Sequence, residues 1–204
     1  MIKSMKQPEF IIGIDEVGRG PLAGPVYVGL VLAPQDFDFG IFSNLNDSKK
    51  MTMKQRLEIF EQLEEGVDLP VETTVSYTYA STIDNHGINQ AIQRAVNRGL
   101  QRLDVDIDNS FVYLDGSLSA PRKFQQRTII RGDGLIPVIS LASVIAKVSR
   151  DHHMEQMEKK YPTYNFKQHK GYGTKKHREA IKKFGASPIH RRSFLSNILQ
   201  DISS

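Results

Sequence analysis

Residues 9–33 read EFIIGIDEVGRGPLAGPVYVGLVLA: two strand-length apolar runs, separated by a glycine- and proline-rich segment, with two adjacent carboxylates where the first run stops. Runs this short and this apolar predict buried strands over about 9–15 and 25–33, and a chain that opens this way must build a sheet. Asp15 and Glu16 then stand at the end of an interior strand. Neighbouring residues of a strand point to opposite faces, so both acids serve one place only if the backbone bends or twists there. Glycines at 18 and 20 give the chain room to do so.

Further along, Thr52 and Gln55 have the spacing of a capping box, opening a helix to about Glu65 with Leu57, Phe60 and Leu63 on one side. The alternating segment 71–79, VETTVSYTY, predicts a third strand. A helix is expected over Ile88–Leu103, from the spacing of Ile92, Ala95, Val96 and Leu100. Two short strands follow, FVYLD at 111–115 and RTIIRGD at 127–133, then a long helix over Val138–Lys160, a loop at 165–174 and a short amphipathic helix at 175–184. Strands come first as a meander and later alternate with helices, which predicts an α/β mixed sheet with helices packed on it. At 204 residues one domain over 1–204 is the expectation, with 34–50 and 161–174 as loops inside it.

The chain has no cysteine, which excludes disulfides and thiolate metal sites, so any metal must sit on oxygen or imidazole. No long uncharged stretch is present to cross a bilayer, and MIKSMKQPEF has no apolar signal core, so a cytoplasmic protein with no membrane partner is expected. Net charge is a modest +4, but between Lys147 and Arg192 thirteen Lys and Arg face four Asp and Glu. That excess is either a solvated helical surface or a contact for a polyanion.

Acids recur where apolar strands end: Asp15 and Glu16, Asp115 after FVYL, and Asp133 after RTIIRG. Each alone is equally a turn residue. If the strands are neighbours, their ends gather the carboxylates into one patch, where repulsion raises pKa values or demands a cation. Oxygen ligands without cysteine suit Mg²⁺ or Mn²⁺ and match zinc poorly. Two such ions, about 3.5–4 Å apart, can activate water and stabilise a departing oxygen in phosphodiester hydrolysis. Gly18-Arg19-Gly20 is either a tight turn or a phosphate contact; it is too short for a dinucleotide signature. Asn46-Asp-Ser-Lys-Lys50 is either a capping loop or a hold on a nucleic-acid backbone, and the tyrosine of HKGYGT at 169–174 is either surface packing or a stacking platform.

Taken together, IDEVGRGPLAGPV at 14–26, LNDSKK at 45–50, YLDG at 113–116, RGDG at 131–134, SLASVIAKVSRD at 140–151, HKGYGT at 169–174 and PIHRRSF at 188–194 resemble ribonuclease HII, the type 2 ribonuclease H family. The resemblance runs in order over nearly the whole chain. It implies an RNase H-like mixed five-stranded sheet flanked by helices, about 9–160, with a helical C-terminal part, about 161–204. It also implies a metal-dependent endonuclease that cuts the RNA strand of RNA–DNA hybrids and DNA duplex containing single ribonucleotides, leaving 5′-phosphate and 3′-hydroxyl ends. By motif position, Asp15, Glu16, Asp115 and Asp133 correspond to the acidic, metal-binding catalytic site. Gly18, Arg19 and Gly20 correspond to the loop that contacts the ribonucleotide, Lys49 to a phosphate contact, and Tyr172 to the tyrosine that packs on the neighbouring deoxyribose. Lys147 and Asp151 are read as supporting residues. A monomer is the simplest expectation. The rivals are a ribonuclease HIII-like enzyme restricted to continuous hybrids, a silent binder of hybrid duplex, and a basic structural protein.

Overall fold

The two opening apolar runs form β1 (Phe10–Val17) and β2 (Val26–Pro34), paired antiparallel from Phe10↔Pro34 to Val17↔Tyr27. They occupy the middle of a five-stranded sheet in the computed structural model, which describes residues 7–42, 45, 51–64, 69–196 and 198. β3 (Glu72–Thr78) adds antiparallel to β2, while β4 (Ser110–Asp115) and β5 (Gln125–Ile129) add in parallel on the other side, giving the order β3-β2-β1-β4-β5. The sheet is mixed, as the order of runs predicts.

Helices cover both faces. α1 (Met53–Glu64) follows the expected capping box: the Thr52 N–H donates to Gln55 Oε1 at 2.8 Å and the Gln55 N–H to Thr52 Oγ1 at 3.3 Å. On one face, α1 and α4 (Pro137–Lys160) bury Ile59, Val138, Leu141, Ala142 and Ile145 against Ile11, Val31 and Ala33. On the other, α2 (Ala80–His86) and α3 (Ile88–Leu100) bury Ile83, Ile92, Ala95 and Val96 against Ile12, Ile14, Leu30, Val112 and Leu114. α4 lies directly on the strands because Gly13 and Gly29 have no side chain beneath it. A Cβ there would stand 2.1 Å from the Val138 carbonyl oxygen and 2.2 Å from that of Ala142, respectively. The helical C-terminal part contains α5 (Phe166–His169) and α6 (Lys175–Phe184), and its core joins Tyr164, Phe166, Ile181 and Leu195 to Met154 and Ala23.

Three elements differ from expectation. The strand expected over 127–133 runs instead over Gln125–Ile129, because its partner β4 ends at Asp115, opposite Ile129. Beyond that point Arg131 adopts φ 57° and Gly132–Gly134 coil into a 3-10 turn. α3 ends at Leu100 rather than Leu103 and is preceded by α2, divided from it at Gly87 with φ 78°. The loop expected at 165–174 contains the four-residue α5 between the left-handed residues Asn165 and Lys170. No helix among the described residues is long and apolar enough to cross a membrane.

Candidate active site

Parallel pairing of β1 and β4 ends at Ile14↔Leu114, so the next residues, Asp15 and Asp115, emerge side by side from adjacent strands. Tyr113 joins the core beneath α4 and Leu114 the opposite one, which puts Asp115 on the α4 face together with Asp15. Asp15 is 6% exposed; its Oδ1 accepts the Glu16 N–H at 2.7 Å, and its carboxylate bonds Ser143 of α4. Burial pushes its pKa from 3.8 to about 8, against the Ser143 hydrogen bond and with the help of the charges on Asp115 and Glu16.

Glu16 occupies the opposite side of the strand. β1 keeps its register with β2 through Val17↔Tyr27, so the pair is not gathered by a bulge: the two acids straddle the strand end, and both lie within electrostatic reach of Asp115. Glu16 Oε1 accepts from Arg19 Nη1 at 3.0 Å, and Arg19 Nη2 donates to Asn89 Oδ1 on α3. Burial raises the Glu16 pKa, with Arg19 opposing through its hydrogen bond and its charge. Glu16 Oε2 is buried without a hydrogen-bond partner.

Asp133 is buried too, in the 3-10 turn rather than at a strand end. Its N–H donates to Asp115 Oδ1 at 3.3 Å and its carbonyl accepts from Ser140 Oγ on α4. Among the described residues no three His, Asp or Glu side chains close around a metal ion in the arrangement present. Glu16 is turned towards Arg19 and Asp15 towards Ser143. The donor set itself, all oxygen, with Asp15 and Asp133 buried, Glu16 and Asp115 half-buried and one carboxylate oxygen unpartnered, fits a hard divalent cation.

Ser143, Lys147 and Asp151 follow one another at four-residue spacing along one face of α4. Lys147 Nζ donates to Asp151 Oδ1 at 2.9 Å. Asp151 also feels the charges of Arg56 and Arg150. It is therefore held among cations, with Lys147 between it and the Asp15 contact.

The loop after β1 is fastened from below. Arg150 and Arg191 are fully buried. Arg150 donates from Nε to the Pro25 carbonyl at 3.1 Å and from Nη2 to that of Ala23 at 3.4 Å. Arg191 donates to the carbonyls of Gly24 at 2.9 Å, Arg19 at 2.9 Å and Gly18 at 2.6 Å. Gly18 has φ 91°, and a Cβ on it would meet Arg150 Nε at 2.2 Å, whereas the Cβ position of Gly20 faces open space. Tyr172 is 43% exposed, with its ring 5.8 Å from the Arg150 guanidinium. Its loop joins the first one: the Leu22 and Ala23 N–H groups donate to the Gly171 carbonyl at 2.9 and 3.3 Å. Asp15, Glu16, Asp115 and Asp133 thus gather at one end of the sheet, and Gly18, Arg19, Gly20 and Tyr172 lie on two loops stitched together. Lys49 falls outside the described residues.

Ser143, Arg150, Arg191 and Asn89 do not stand out in the sequence. A signal for Arg150 exists: it lies four residues from both Ala146 and Met154, a cation on a buried helical stripe.

The family model for ribonuclease HII matches residues 12–197. Ribonuclease HII of Caldicellulosiruptor bescii is 41% identical over 190 residues, 93% of this chain and 88% of that protein. Among solved structures, ribonuclease H2 from Pyrococcus horikoshii OT3 superposes with a TM-score of 0.76 at 24% identity, covering 96% of this chain and 99% of that one. Bst-RNase HIII in complex with Mn²⁺ superposes with a TM-score of 0.69 at 15% identity, covering 96% and 71%. Both share the fold. With its sequence matched almost end to end, the chain belongs to the ribonuclease HII family, metal-dependent endoribonucleases of RNA–DNA hybrids.

Proposed function

We propose that Asp15, Glu16, Asp115 and Asp133 hold divalent cations, Mg²⁺ or Mn²⁺, and that the enzyme cuts at single ribonucleotides embedded in duplex DNA as well as in continuous hybrids, leaving 5′-phosphate and 3′-hydroxyl ends. The observation that carries this reading is the convergence of Asp15, Glu16 and Asp115 in one electrostatic neighbourhood, with Asp133 bonded to Asp115 through its backbone. Gathering these acids opposes folding until a cation offsets their repulsion, so their placement serves something other than stability. The binding of Mn²⁺ by Bst-RNase HIII supports the choice of ion. Held by these carboxylates, a pair of such ions would activate the attacking water and stabilise the departing oxygen.

The chain's own groups orient these ligands. Ser143 and the Glu16 N–H fix Asp15, the Asp133 N–H fixes Asp115, and Arg19 balances Glu16. Lys147 adds positive charge one helical turn from Ser143, and Asp151 holds that ammonium in place. The Gly18-Arg19-Gly20 loop, fixed by Arg150 and Arg191, contacts the ribonucleotide, while Tyr172 packs on the adjoining sugar. Discrimination rests on the 2′-hydroxyl, which both donates and accepts. Lys49 contacts phosphate, and the basic last third supplies affinity with little base preference. Residues 1–204 act as one domain, a reading supported by the core that Ala23 shares with Tyr164 and Ile181, and the chain acts as a monomer in the cytoplasm.

Mapping products from a labelled duplex with one ribonucleotide tests this. A single cut beside the ribonucleotide is expected, dependent on Mg²⁺ or Mn²⁺, and Asp15→Asn should lower its rate by about 10²-fold or more. Cleavage in chelator, or a wild-type rate in the variant, would remove the reading.

A further inference from the structure

Beneath the Tyr172 loop three histidines are buried together: His169, His177 and His190. The His169 and His177 rings stack with centroids 4.2 Å apart, and His177 Nε2 stands 3.0 Å from His190 Nε2. Their partners settle where each proton resides. The Tyr172 carbonyl can only accept, so His177, with Nδ1 2.9 Å away, must carry its proton on Nδ1. In the neutral ring His177 Nε2 is then a bare acceptor, and His190 must donate to it from its own Nε2. That leaves His190 Nδ1 bare, and there it accepts the Ser187 N–H at 2.9 Å, with the Ser187 hydroxyl 2.7 Å away. His169 obeys the same logic: Nε2 donates to the Tyr164 carbonyl at 2.7 Å and Nδ1 accepts the Gly171 N–H at 3.2 Å. Each ring carries one proton in one tautomer. A second proton on His177 or His190 would set two N–H groups against each other in a buried place.

The chain of donors runs one way and ends on Tyr172. The loop turns through Lys170 and Gly171, both with positive φ, 50° and 85°, and the Tyr172 carbonyl accepts the Thr174 N–H at 2.8 Å as well as the His177 ring. Its far anchor is His190, which bridges Ala23 and adjoins Arg191, the residue that holds the Gly18 and Arg19 carbonyls. One dipeptide, His190-Arg191, therefore sets the position of both loops.

We propose that His177 and His190 are positioning residues for Tyr172: the relay Ser187→His190→His177→Tyr172 carbonyl fixes the height of the tyrosine ring relative to the Gly18–Gly20 loop. The proposal rests on the reading of Tyr172 as a substrate contact.

Ring-nitrogen NMR of the ¹⁵N-labelled wild-type protein near neutral pH tests the relay without any variant. His177 is expected as the Nδ1–H tautomer and His190 as Nε2–H; His177 protonated on Nε2, alone or together with Nδ1, overturns the proposal. Kinetics on a duplex with one ribonucleotide test the role. His177→Phe should raise KM about tenfold with kcat within about twofold, and should add nothing in a Tyr172→Ala background. His177→Asn, whose side-chain amide can replace the Nδ1 donor, should keep KM within about threefold. If His177→Phe raises KM equally with and without the Tyr172 ring, positioning fails while the substrate reading of Tyr172 stands. A Tyr172→Ala variant with wild-type KM overturns that reading, and the proposal with it.

Discussion

With no cation bound, Asp15 keeps its proton up to about pH 8, some four units above its ordinary value, because it is buried beside two other acids. Between those two values the folded chain binds a proton that the unfolded chain has released, so this residue's effect on stability becomes steadily more unfavourable as pH rises from about 4 to about 8. Asp15→Asn removes that titration. Chemical unfolding in chelator should show the variant ahead by about 1 kcal/mol or more at the alkaline end and least at the acid end. The substitution expected to slow cleavage should therefore stabilise the cation-free protein; equal stability at both ends would contradict burial as the origin of the shift. At this scale Asp15, Glu16 and Asp115 were legible in the sequence, because an apolar run that stops on a carboxylate marks a strand end, whereas Asp133, expected at such an end, lies in a turn beyond it. Arg150, Arg191 and Ser143 were not. Sequence places a basic residue on the surface by default, and the carbonyls that reverse that default for Arg150 and Arg191 belong to residues more than a hundred positions away.

The element that brings Ser143 to Asp15 is α4, and its distance from the sheet is set by two glycines. Gly29 lies opposite Asp15 in the β1–β2 register, and a Cβ on it would strike the Ala142 carbonyl. Gly29→Ala should therefore lift the helix and cost about 1–3 kcal/mol in urea unfolding, although glycine-to-alanine changes stabilise where space allows. A neutral or stabilising result would mean that α4 does not rest on the strand backbone. Where an element carries its own boundary signal, the sequence was a good guide: the Thr52–Gln55 capping box marks the start of α1, and α6 spans the expected 175–184. β5 was misread because its end is dictated by its partner. RTII has strand chemistry, but β4 runs out opposite Ile129, and the freed segment turns at Arg131 to deliver Asp133 to Asp115. α2 went unread because it is seven residues long and only Ala80 and Ile83 in it are buried, too few apolar positions to show a helical period.

Across the whole molecule, two opposed titrations act on stability. His177 and His190 are held neutral by burial, with pKa values lowered from 6.5 to about 4, and His169 is lowered in the same sense. Their contribution is complete above about 6.5 and is lost as pH falls through about 4, the reverse of the Asp15 trend. In an Asp15→Asn background the unfolding temperature should fall over that interval, and adding His177→Asn should flatten the fall. An unchanged slope would place the acid sensitivity elsewhere. The tie between Arg191 and the carbonyls of Gly18 and Arg19 joins residues 173 and 172 positions apart. Such a bond cannot form until Arg191 has been synthesised. A nascent chain can bring Asp15 and Asp115 together on the ribosome while the Gly18–Gly20 loop is still untethered, so that loop gains its fixed position only after Arg191 has been made.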